Sequence, residues 1–302
     1  MKQLNENIFH QYNKWKEGYT RKENSFKLRV QNFLSNREDA NKFKISKDGK
    51  HLNASDTVRI TDDDISDGKL PVPFGKVNWN FDCMSCTSLT SLEGAPKYVE
   101  NHFDCNNCEN LTSLVGAPEK VGRTFVCYRC TSLTSLEGAT EYVGCDFDCS
   151  ECDSLTSLKG APKKIGRCFY CNNCENLISL VGAPEEVGGD FKFYECINLT
   201  SLEGAPKKVG GDFDCRGCNN LTSFEGVPKE IGGAFDCRGC NNLTSLEGVP
   251  KKVNGFFDCS GCENLTSLEG LPKEISGDLY IDKRFKRKIP DDAIIKGEIK
   301  YV

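Results

Sequence analysis

The chain has 302 residues, 27% of them charged, and a formal net charge of −5. That length suits one large domain or two ordinary ones, and the acidic balance excludes a global basic field for nucleic acid. No apolar run reaches membrane-spanning length, and the start, MKQLNENIFHQYNKW, lacks the apolar stretch of a secretion signal.

Residues 1–54 read as a helical N-terminal cap or arm. Ile8, Tyr12 and Trp15 are spaced for one helical face, and Phe26, Val30, Phe33 and Leu34 for a second helix. Asn24 or Ser25 would cap that helix and Asn36 would end it. Lys14, Lys16, Arg21, Lys22, Lys27 and Arg29 make the segment locally basic, a feature that alone does not make a nucleic-acid site.

Residues 55–302 repeat. Phenylalanine stands at 81, 103, 125, 147, 169, 191, 213, 235 and 257, always 22 residues apart, and Leu279 and Tyr301 extend the register. A fixed period of this size is the mark of a solenoid. The unit reads F-x-C-x-x-C-x-x-L-T-S-L-x-G-x-P-x-x-V-G-x-x. Its F-x-C stretch has the period of a short strand. Gly marks a turn, and Pro fits an extended return path rather than a helix. The predicted fold is a mainly β, curved stack of about ten coils with a parallel sheet. Half-repeats close both ends, at Val58-x-Ile60-x-x-Asp63-x-Ile65 and at Leu279-x-Ile281. A last strand follows at Ile299–Tyr301, and the basic run DKRFKRK guards the edge.

The nineteen cysteines, an odd number without a secretion signal, favour free thiols in a reducing compartment. Cys215, Cys218, Cys237 and Cys240 have the spacing of a four-cysteine zinc site, which leaves a zinc-binding module as an alternative. However, Phe193, Ile60 and Ile281 occupy the first-cysteine position of their coils, and such side chains cannot ligate zinc. Buried packing is the favoured role, with no metal or other cofactor expected. Cys145 and Cys168 fall outside the pairs and are the candidates for exposed thiols.

Residues after each Phe should face solvent. They read Asp82, Asp104, Val126, Asp148, Tyr170, Lys192, Asp214, Asp236, Asp258 and Tyr280. The aspartate column breaks at Val126, Tyr170 and Lys192, with Tyr128, Arg129 and Tyr194 close by. Tyrosine and arginine are enriched in binding hot spots. The predicted partner-binding set is therefore Val126, Tyr128, Arg129, Tyr170, Lys192 and Tyr194, flanked by Asp214 and Asp236, on a concave strand face. His10, His51 and His102 are scattered, and no nucleophile elbow, P-loop or H-E-x-x-H occurs. A non-enzymatic binding module is expected.

The repeat resembles the leucine-rich repeat in its cysteine form. Phe213-x-Cys215-x-x-Cys218-x-x-Leu221 matches that pattern, while the spacing from Val209 departs from it. It is similar also to BspA-like bacterial repeats, shortened by one residue. The resemblance implies that the second cysteine of each pair bonds the backbone of the adjoining coil. The wording S-L-E-G-A-P-K-x-V-G-G-x-F-D-C, with the entry L-P-V-P-F-G-K-V, looks like repeat proteins of large tailed bacteriophages and bacteria. That resemblance implies a bacterial cytoplasm and a protein partner, a host or defence factor; the alternative is a virion structural or assembly component. Neither a membrane nor a nucleic-acid partner is expected, and the oligomeric state is left open.

Overall fold

A computed structural model describes residues 21–35 and 37–302. The Phe-led segments form a twelve-stranded, wholly parallel front sheet, from Val58–Arg59 through Phe81–Asp82 to Leu279–Ile281 and Ile299–Tyr301. Most strands have only two residues, too short to persist alone. They persist because each pairs with the coils above and below. The path after each Pro makes a second column of strands, such as Tyr98–Val99 and Lys120–Val121. These build a ten-stranded back sheet and a three-stranded one beyond it. The chain is thus a β-solenoid with a 22-residue coil, and the intervening residues supply the long connection that parallel pairing needs.

Columns of like residues fill the space between the sheets. The Phe rings from Phe81 to Phe257 are fully buried, with neighbouring centroids 4.9 to 6.0 Å apart. Burying one such ring stabilises the fold by roughly 2–3 kcal/mol. The paired leucines, such as Leu89 and Leu92, and the valine after Pro, such as Val99, complete the core. Phe193 replaces a thiol and packs 5.1 Å from both Phe191 and Phe213. Glycine is needed where coils touch: a Cβ on Gly144 would lie 1.8 Å from the carbonyl oxygen of Gly122.

Helix α1, Arg21–Leu34, buries Phe26, Val30, Phe33 and Leu34, the face expected from their spacing. Phe33 sits edge-on against Phe43 and Phe74, so α1 covers the first coil. Asn24 and Ser25 do not cap this helix, because it already runs from Arg21. Lys27 is buried rather than part of an open basic face. Ile8, Tyr12, Trp15 and Asn36 lie outside the described residues. Residues 43–54 are not helical: Phe43–Ile45 and Leu52–Ala54 form an antiparallel hairpin that begins the back sheet. The division at residue 54 therefore cuts a hairpin from the sheet it starts.

At the far end Leu279 pairs with Ile299, and Ile281 with Tyr301. Ile299, not Tyr301, continues the Phe column, because the loop closing the last coil is two residues shorter. Among the described residues no helix is long and apolar enough to cross a membrane.

Candidate binding face

The cysteine pairs lie inside and satisfy backbone. Each second thiol donates to the carbonyl of the first-position residue one coil earlier: Cys108 to Cys83 at 3.2 Å, Cys218 to Phe193 at 3.3 Å and Cys240 to Cys215 at 3.1 Å. Most first thiols donate the other way, to the residue after Phe in the next coil, as Cys237 does to Asp258 at 3.2 Å. Burial pushes the Cys171, Cys215, Cys237 and Cys259 thiols well above the ordinary thiol range. Such groups stay protonated at neutral pH and make poor nucleophiles or ligands. Among the described residues no group of three or more His, Cys, Asp or Glu is arranged to hold a metal ion.

The thiols serve carbonyls at which the ladder stops, in coils with the aspartate and in those without it. In a regular ladder the carbonyl of Cys83 would accept from the N–H of Asn106. That N–H instead bonds Asp104 Oδ1 at 2.9 Å, turning the chain sharply after the strand. The same capping bond recurs from Met84, Ser150, Arg216, Arg238 and Ser260 to the Asp two residues before. One residue further on, the chain takes the left-handed conformation, at Arg129, Glu151 and Glu195 among others and at Gly217, Gly239 and Gly261. The aspartate column is a turn device before it is a surface.

Asp214 and Asp236 are accordingly not the solvent-facing residues the repeat suggested: they are 6% and 4% exposed, and Asp258 is 5% exposed. Two arginines lie across them. Arg216 reaches Asp214 at 3.6 Å and Asp236 at 3.9 Å; Arg238 reaches Asp236 at 3.3 Å and Asp258 at 3.9 Å. Burial, and then the Asp214 carboxylate, push Asp236 up to about 6. Burial likewise raises Asp104, Asp148 and Asp214.

In coils five and six, where aspartate is missing, other groups cap the turn. The N–H of Asn172 bonds Ser150 Oγ, and that of Tyr194 bonds Asn172 Oδ1, each one coil back. Val126, Tyr128, Tyr170, Lys192 and Tyr194 are half-buried and Arg129 is exposed, all on the front of coils three to six. A hydrogen bond to Glu151, and burial, push the Tyr128 phenol up to about 12. Burial and the adjacent Cys168 raise Tyr170. Burial opposes the charge of Lys192, but Asp190, 3.0 Å away, holds its ammonium above the ordinary range. The Arg216 guanidinium lies 4.5 Å from the Tyr194 ring centre. Glu151, Asp190 and Arg216 are the members that sequence reasoning missed; the signal was a partner one coil on for Tyr128 and Tyr194, 23 and 22 residues away, and two residues back for Lys192.

Cys168 is not an exposed thiol. It is 7% exposed and fills the column position held by Asp146 and Asp190, its sulfur accepting the Asp190 N–H at 3.4 Å. Cys145 is half-buried.

The fold and this face define a β-solenoid scaffold. Comparison with protein-family models, curated proteins and solved structures gives no match.

Proposed function

We propose that the chain is a non-enzymatic, protein-binding scaffold of the leucine-rich-repeat kind, encoded by a phage or bacterium and working in the bacterial cytoplasm. It engages a protein partner, a host or defence factor, through the front of coils three to six. One observation carries this reading. The coils repeat closely, yet Val126, Tyr170 and Lys192 forgo the capping aspartate on coils three, five and six, and Tyr128 and Tyr194 stand beside them. Folding does not call for tyrosine there, because Asp with Ser or Arg makes the same turn in coils four, seven, eight and nine. Tyrosines with two rotatable bonds form contact surfaces at low ordering cost.

The test is capture from bacterial lysate with quantitative mass spectrometry, comparing the natural chain with a Tyr128→Ala, Tyr170→Ala, Tyr194→Ala variant. The expected result is a protein recovered in stoichiometric amount by the first and lost by the second. Equal recovery by both moves the contact off this face, and deletion of residues 1–40 then tests the arm. Recovery of the chain in purified particles would replace this reading with a virion component.

A further inference from the structure

A second departure from the repeat lies on the side that follows the cysteine pairs. Ile178 stands where the eight other coils have threonine, from Thr90 to Thr266. Ile197 stands where the others have Thr, Glu, Asp or Asn, and Val181 where most have Glu or Lys. All three are exposed, at 56%, 39% and 44%. They form one patch: Ile178 and Val181 are three residues apart in one coil, about 10 Å in extended chain. Thr200, three residues after Ile197, donates its N–H to the Ile178 carbonyl at 3.3 Å. The side chains point to water, so the interior does not account for them. Val115, at 61% exposed, is by contrast a single apolar residue among polar neighbours.

The border of the patch is mainly acidic: Lys159, which precedes Val181 in its column, is already paired with Glu137 at 2.8 Å. Glu175 precedes Ile197 in its column, Glu195 lies two residues before it, and Glu203 follows Val181 in its column; Asp153 stands one coil beyond Glu175. All four are exposed. Glutamates of the back face, such as Glu141, Glu185 and Glu230, pair with lysines. None of these four does so among the described residues.

We infer that the Ile178–Val181–Ile197 patch is a docking surface for a basic amphipathic segment of a protein partner, which places apolar side chains on the patch and Lys or Arg against Glu175, Glu195, Glu203 and Asp153. This rests on the reading of the chain as a binding scaffold and adds the chemistry of the partner. Apolar contact supplies affinity, and the unpaired carboxylates select charge and orientation.

The test uses a fluorescein-labelled amphipathic leucine–lysine peptide and its leucine–glutamate counterpart, with binding followed by anisotropy. The leucine–lysine peptide should bind the full chain, less tightly as salt rises, and the leucine–glutamate peptide should not. Ile178→Thr, Val181→Glu, Ile197→Asn together, each taken from other coils, should leave the melting temperature unchanged and weaken binding at least about tenfold. Glu175→Gln with Glu195→Gln keeps the apolar atoms and should also weaken it, while Val115→Glu should not. Failure of the leucine–lysine peptide to bind, unchanged affinity in either patch variant, or equal binding of both peptides would overturn the proposal. The tyrosine triple variant should still bind this peptide, so loss of the front-face contact and loss of this one are separable.

Discussion

The thiol column performs a task that its spacing disguises as metal chemistry. A C-x-x-C pair reads as a zinc half-site in a chain without repeats. Here the second thiol meets a carbonyl at which the ladder stops. Cys240→Ala should therefore cost roughly 1–3 kcal/mol in urea unfolding, because the buried Cys215 carbonyl loses its thiol donor and keeps only the Cys218 N–H, 3.2 Å away. Cys240→Ser should recover part of that loss, since a hydroxyl donates in the same place; equal costs for the two variants would contradict the role. The buried aspartates give a pH signature. Asp236 is raised to about 6 in the fold against about 3.9 in an unfolded chain. Its contribution to stability is full below the unfolded value and is lost as pH rises from about 4 through 6. Asp236→Asn keeps an oxygen for the Arg238 N–H and should flatten that segment of the stability–pH curve, with a gain on the order of 1–3 kcal/mol at pH 7. A variant less stable than the natural chain at pH 7 would show that the ionised carboxylate is needed.

At the scale of the coil, the period alone gave the strand and the core columns; the ends read as half-repeats are whole coils, with back strands at Phe74–Val77 and Ile294–Ile295. The rest was hidden for physical reasons. The back strands were read only as a return path because Pro and two charged residues precede one buried valine, a pattern with too few apolar positions to signal a strand. The closing coil is two residues shorter, so extending the 22-residue count put Tyr301 where Ile299 stands. The aspartates were read as surface because alternation predicts only which side of the sheet a residue is on, not what the following turn lays over it. Glycine usage makes the close stacking testable. Gly144→Ala should destabilise by about 2 kcal/mol or more, since its Cβ would meet backbone rather than a movable side chain. Arg129→Gly should stabilise by about 1 kcal/mol, since Arg129 holds φ at 56°. Thermal unfolding of the two variants checks both signs.

For the molecule as a whole, regularity and function separate. Columns that keep their residue through the stack are explained by burial, capping or close approach. The departures on the two proposed contact faces lie in coils three to six, half-buried on the front at Tyr128, Tyr170, Lys192 and Tyr194 and exposed on the adjoining side at Ile178, Val181 and Ile197. In a stack where each coil touches only its neighbours, such changes leave the remaining coils intact. The most direct measurement is the affinity of the captured partner for a variant whose front is made regular: Val126→Asp, Tyr128→Ser, Tyr170→Asp, Lys192→Asp and Tyr194→Arg. These substitutions restore the aspartate turn that coils four and seven already use, so the variant should fold, and its thermal unfolding is checked before affinities are compared. The account predicts a loss of affinity of about thirtyfold or more in this variant; a folded variant that binds as tightly as the natural chain would contradict it.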